Sequence, residues 1–180
     1  MKKLEIGSGN RPLDGYEHLD INPDAPHVEY VSGMDKVPTE DGIFDEVKAI
    51  HVLEHAQWRD SLKILKEWVR VLKPGGKVHI AVPNFRWIVQ CYHEAQGNIN
   101  HNWEQDMKVM SPQETVHLKI GDEPLALLWA NFKIMSSGIQ WDQHYACFDA
   151  DLLSRLLAEA GCKRVKVLHD GDSLMMEGWK

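Results

Sequence analysis

The chain is poor in cysteine, in long apolar runs and in positive charge, and each scarcity excludes a class of protein. Cys91, Cys147 and Cys162 are the only 3 cysteines in 180 residues, far apart and without C-x-x-C spacing. Such a set frames neither a disulfide scaffold nor a zinc ribbon, and it fits free thiols in a reducing cytoplasm. No apolar stretch approaches the roughly 20 residues of a membrane span. The opening Met1-Lys2-Lys3-Leu4-Glu5-Ile6-Gly7 reaches a glycine too soon for a signal-peptide core. Lysines and arginines number 20 against 27 aspartates and glutamates, a formal net charge of −7. A nucleic-acid backbone needs a basic stripe, so it is a poor partner for this chain. What is present is an ordinary globular composition, 43% hydrophobic and 26% charged, enough for one domain over residues 1–180.

The first half reads as short strands between turns: Lys3–Ile6, Tyr16–Ile21, His27–Val31, Phe44–Ile50 and Lys77–Pro83, the last introduced by a Pro74-Gly75-Gly76 turn. Between the fourth and fifth, Trp58, Leu62, Leu65, Val69 and Leu72 step by four and three, which predicts a helix. Strand, helix and strand within so short a span make a βαβ unit and a parallel sheet. Residues 84–146 interrupt this rhythm as an insertion, with helices predicted over Phe85–Gln96 and Pro124–Met135. Asp149 then caps a helix whose face is Leu152, Leu153, Leu156, Leu157 and Ala160, and strands follow at Arg164–Leu168 and Ser173–Trp179.

Chemistry concentrates at the strand ends. Gly7-Ser8-Gly9 follows the first strand directly, where glycines let a ligand approach the backbone. A dinucleotide fingerprint requires a third glycine where Pro12 stands, which counts against NAD or FAD. Asp20 ends the second strand, where one carboxylate can accept from both hydroxyls of a ribose; a simple turn aspartate is the other reading. Asp35 can accept from an adenine amine, and Met34 can pack against the ring.

In this order Leu4-Glu5-Ile6-Gly7-Ser8-Gly9-Asn10, Asp20, Asp35 with Val37-Pro38, Phe44-Asp45-Glu46-Val47, Leu53-Glu54-His55 and Leu72-Lys73-Pro74-Gly75-Gly76 resemble the class I S-adenosylmethionine-dependent methyltransferases. Within them they resemble the UbiE/UbiG-like type and a compact branch of predicted methyltransferases. The resemblance covers about residues 2–83 and 144–180. It implies an α/β, Rossmann-like, mostly parallel sheet with helices on both faces. It also implies S-adenosyl-L-methionine as cofactor and S-adenosyl-L-homocysteine as product. Glu5, Gly7, Ser8, Gly9, Asn10 and Arg11 of the first loop would border the cofactor, with Asp20, Ile21, Met34, Asp35, Ile50 and His51. Two departures stand out. Arg11 replaces the usual third glycine, and Asn10–Gly15 leaves room for a turn where the family has a full helix. The first helix is therefore truncated. Arg11 is a candidate cation for the methionine carboxylate, with an exposed turn residue as the alternative.

His51-Val52-Leu53-Glu54-His55 matches H-x-x-E-H. Zinc chemistry of that type needs both histidines on one helical face. Here His51 leaves a strand, so the preferred reading has no metal: His51 walls the cofactor pocket, and Glu54 and His55 form a structural pair at the corner. The insertion is the expected substrate cover, since 9 of the 15 aromatics fall in residues 84–148. Its candidates are Trp141, His144 and Tyr145, where the chain re-enters the domain. Its seven acidic and four basic residues argue against a polyanionic acceptor, which leaves a small molecule or a glycan. A sulfonium methyl is already activated, so a general base is needed only for a protonated acceptor. His144 and then His51 are the candidates. Two further hypotheses are a catalytically decayed cofactor-binding partner protein and a different nucleotide- or metal-dependent enzyme on the same sheet.

Overall fold

The computed structural model describes residues 1–96 and 144–180. Seven strands form one sheet: β1 Lys3–Ile6, β2 Glu17–Asp20, β3 Val28–Val31, β4 Phe44–Ile50, β5 Leu72–Pro83, β6 Arg164–Asp170 and β7 Ser173–Trp179. Their order is β3-β2-β1-β4-β5-β7-β6. The pairs from β3 to β5 are parallel, and β7 runs antiparallel to both neighbours. The mostly parallel, Rossmann-like sheet is thus as expected. The described helices are α1 Ser61–Arg70, α2 Phe85–Gln96 and α3 Ala150–Glu159.

Helices α1 and α3 touch each other and share one core with the sheet. Ile64, Leu65, Trp68 and Val69 of α1 and Leu153 and Leu157 of α3 are buried against Leu4, Ile6, Val47, Ala49, Val78, Ile80 and Met176. Asp149 caps α3, its carboxylate accepting from the Leu152 N–H at 2.8 Å, as the sequence predicts. Trp58 departs from its predicted place. It precedes the helix in a turn closed by Asp60 N–H to Gln57 O, and it is 65% exposed.

None of the connections from β1 to β4 contains a helix, so the truncation expected between β1 and β2 extends to the next two crossovers. The opposite face of the sheet is correspondingly polar. The register aligns His18, Glu5, Lys48, His79 and Glu177 in one row, and Lys3, Glu46 and Lys77 in the next. Lys77 reaches Glu177 at 2.6 Å, and the Tyr16 hydroxyl donates to Glu46 at 2.7 Å.

The Pro74-Gly75-Gly76 turn is absorbed into a bulged start of β5. Leu72 pairs with Phe44, and the register shifts before Lys77 pairs with Glu46. A side chain at Gly76 would meet carbonyl oxygens at 3.0 to 3.2 Å, so glycine is required there. At the other end of β5, Asn84 is buried. Its side-chain amide donates to Asp170 and to the Gly171 carbonyl, both at 2.8 Å, and its oxygen accepts from Arg86 N–H at 3.2 Å. Asn84 also bridges to Phe148. The two ends of the 84–146 segment therefore lie side by side at the C-terminal edge of the sheet.

Candidate functional site

The residues singled out in the sequence gather at the C-terminal ends of β1, β2 and β4, where an open parallel sheet binds ligands. After β1 the chain turns through Gly7 and Gly9, at φ of 70° and 56°. A Cβ at Gly7 would lie 2.5 Å from the Val52 side chain, whereas one at Gly9 would point into open space. Gly7 therefore serves packing and turn geometry, and Gly9 leaves room for a ligand. The Ser8 hydroxyl is buried and has no hydrogen-bond partner.

Asp20 joins the two readings the sequence left open. One carboxylate oxygen accepts from Gly9 N–H and the other from Asn22 N–H, each at 2.8 Å. The residue braces both its own turn and the glycine loop, and two of its roughly four lone-pair sites stay available. Beside it Ile21 is exposed, and Ile50 at the tip of β4 is partly so. Glu5 lies deeper. Its carboxylate accepts from Leu13 N–H at 2.8 Å and sits 3.5 Å from His18, and burial raises its pKa. Glu5 thus holds the 8–13 loop in place. Asn10 and Arg11 are exposed on that loop.

Met34 and Asp35 are positioned from α1, by residues that sequence reasoning missed. The Trp68 indole N–H donates to the Met34 carbonyl at 2.8 Å. Glu67 accepts from Val37 N–H at 2.8 Å, and Arg70 donates to the Val37 and Thr39 carbonyls. Asp35 is exposed and pairs with Lys63 at 3.2 Å. Both residues line a pocket of about 200 Å³ with Ala56, Gln57 and Ile64. The helical face identifies Trp68 as core, but nothing in the sequence signals its polar contact.

The H-x-x-E-H run is divided by the fold. His51 sits at φ 54°, a left-handed corner after β4. Its Nδ1 lies 3.2 Å from Glu54 Oε1, and that hydrogen bond raises the histidine's pKa against the effect of burial. Glu54 thus pairs with His51, a partner that the sequence reading of the corner did not name. A single 3-10 turn, Leu53–His55, carries His55 to His144, where the rings meet edge to face at 4.9 Å. Tyr145 N–H and Ala146 N–H both donate to the Glu54 carbonyl, at 2.8 and 3.2 Å. Trp141 and the predicted Pro124–Met135 helix lie outside the described residues.

Comparison with known proteins agrees with this geometry. Residues 17–80 match a family model described as a methyltransferase domain. The fold is that of solved S-adenosylmethionine-dependent methyltransferases. One, from Thermotoga maritima, is described as a possible histamine N-methyltransferase. It has a TM-score of 0.64 at 15% identity, covering 99% of this chain and 82% of that one. Others come from Archaeoglobus fulgidus, with TM-score 0.59, 12% identity and coverage of 99% and 86%, and from Aquifex aeolicus, with 0.51, 15%, 99% and 80%.

Part of the chain, residues 17–80, is thus similar to a methyltransferase domain, and the whole has the fold of S-adenosylmethionine-dependent methyltransferases. No curated protein matches the sequence. The residues present are compatible with S-adenosylmethionine: an orphaned Ser8 hydroxyl, open space over Gly9, and a buried carboxylate, Asp20, at the tip of β2. No helix lies between β1 and β2, so the loop after β1 lacks the helix N-terminus that would favour an anionic group there.

Proposed function

We propose that this chain is an S-adenosylmethionine-dependent methyltransferase that transfers the methyl group to a small-molecule or glycan acceptor held beside the β4 corner. The observation that carries the reading is Asp20, a buried strand-tip carboxylate that grips the glycine loop and retains acceptor capacity toward a sugar diol. Bound S-adenosylmethionine supplies an activated methyl carbon with a neutral thioether as leaving group. The chain's part is to position and to exclude water. Ile21 and Met34 flank the adenosine side, and Asp35 is placed for the adenine amine. Ile50 and His51 wall the methionine side, and Arg11 is available to the methionine carboxylate. His144 and Tyr145 border the acceptor. Where the acceptor begins protonated, His144 or His51 takes the proton. The order of the motifs supports the compact UbiE/UbiG-like branch, and the scattered thiols support a cytoplasmic setting.

The test is thermal shift and calorimetry with S-adenosylhomocysteine, which keeps every contact except the methyl. The product should raise the melting temperature and bind at least as well as the methyl donor. A melting temperature unmoved by millimolar product but raised by NAD would overturn the reading.

A further inference from the structure

We propose that Glu54, His55 and His144 form a binding site for a divalent transition-metal ion. One ligand atom from each of the three lies within 4.8 Å of the others. A tetrahedral ion with metal–nitrogen and metal–oxygen bonds near 2.0–2.2 Å would hold such atoms about 3.4 Å apart. Small side-chain rotations close that difference. Two imidazoles and one carboxylate form a donor set suited to zinc, cobalt(II) or iron(II), not to magnesium or calcium.

A second observation is independent of the clustering. Glu54 is 1% exposed, and its Oε2 has no hydrogen-bond partner. Its other oxygen faces His51 Nδ1 at 3.2 Å, which fixes how the carboxylate is turned. A buried carboxylate oxygen without a donor is an unfavourable arrangement that a cation resolves. His51 then takes the place of the hydrogen-bonding partner that usually orients a metal-bound carboxylate.

The backbone supports the same assignment. Tyr145 and Ala146 hydrogen-bond through their main chain to the Glu54 carbonyl. His144 is thereby held beside residues 54–55 whatever its side chain does. The constellation differs from the zinc-hydrolase pattern, because His51 supports the site instead of ligating. With three protein ligands the ion keeps an open position, as catalytic sites do. This deepens the methyl-transfer reading and rests on it for its role: an acceptor hydroxyl joining the ion would have its pKa lowered and lose its proton to solvent. His144 then acts as a ligand rather than a base.

The test uses the full chain, stripped with a chelator and titrated with cobalt(II), with zinc(II) as competitor. Calorimetry should give one equivalent, and the visible cobalt bands should show nitrogen ligation. His55→Asn and His144→Asn should each weaken cobalt binding by at least about tenfold, with Glu54→Gln behaving alike if it folds. His169→Asn, exposed on strand β6, should leave it unchanged. Binding of S-adenosylhomocysteine is measured on the same samples. No cobalt or zinc binding by a chain that takes the product, or cobalt affinity within about threefold of wild type in both histidine variants, overturns the metal site and leaves methyl transfer standing. Cobalt bound as expected by a chain that ignores the product overturns methyl transfer and leaves the metal site.

Discussion

The two faces of the sheet use the same strands and meet different surroundings. On one face Leu4, Ile6, Val47, Ala49, Val78 and Ile80 are fully or almost fully buried under α1 and α3. On the other, the intervening residues Glu5, Glu46, Lys48, Lys77 and His79 pair across strands with alternating sign. Parallel strands buried on both faces normally read as continuous apolar runs. Those here alternate, as in Lys3-Leu4-Glu5-Ile6 and Lys77-Val78-His79-Ile80. The alternation accords with connections from β1 to β4 that contain no helix to cover this second face. The covered face holds the apolar core, and through α1 it also positions the candidate cofactor loop, because Trp68, Glu67 and Arg70 hold the Met34–Thr39 segment.

The largest expected effect lies on the covered face. Trp68→Ala removes the largest fully buried side chain among the described residues and should cost about 3–5 kcal/mol in denaturant unfolding. Trp68→Phe separates the two roles of the residue. It keeps an aromatic in the core but loses the N–H to Met34, and should cost on the order of 1 kcal/mol while weakening S-adenosylhomocysteine binding. Unchanged binding in a folded Trp68→Phe chain would detach the covered face from the cofactor loop.

Asp20→Ala comes next. Charge-assisted hydrogen bonds contribute roughly 1.5–3 kcal/mol each, and water recovers part of that. Affinity for S-adenosylhomocysteine should fall about 30- to 1000-fold. Because Asp20 also holds Gly9 and Asn22, the variant should lose some stability as well. Asp24→Ala, in the neighbouring turn, should do almost nothing. Binding of the Asp20 variant within about threefold of wild type would leave Asp20 as a loop brace alone.

The strand tips and the α3 cap were legible in the sequence because each depends on neighbours within a few residues. Glycine after an apolar strand, aspartate at its successor's end and Asp149 before a leucine face are local signals. The His51–Glu54 pair went unread for the converse reason. It is set by the left-handed corner at His51, and the backbone bonds of Glu54 run to residues 145 and 146, neither of which periodicity announces. The start of the α1 helix was placed too early because Trp58 continues the apolar spacing past the residue where the helix begins. Asn84 did carry a signal, an amide side chain between a strand and a helix, that capping preference makes readable.

A smaller effect measures how open the polar face is. Lys77→Met breaks the pair with Glu177, whose Lys side chain is 32% exposed. Half-exposed pairs contribute at most about 1 kcal/mol, and added salt should shrink the difference. A loss above about 2 kcal/mol, indifferent to salt, would mean that the face is covered in solution.

The smallest effect is one of sign, and it separates the faces by titration. Burial raises the pKa of Glu5 above its ordinary 4.5, against the Leu13 hydrogen bond and the His18 charge. Hydrogen bonding from Arg70 lowers that of Glu67 below the same 4.5. For Glu5 the folded chain holds the proton more tightly than the unfolded one. Its contribution to stability therefore falls as pH rises from 4.5 through the folded value. For Glu67 the contribution is fully present above 4.5 and is lost as pH falls through the lowered value. Urea unfolding between about pH 3 and 7 of wild type, Glu5→Gln and Glu67→Gln reads both. The stability of wild type relative to Glu67→Gln should grow with pH below 4.5. Relative to Glu5→Gln it should shrink with pH above 4.5. Two differences that move in the same direction would show that the Glu5 carboxylate is solvated, and that the 8–13 loop does not close over it.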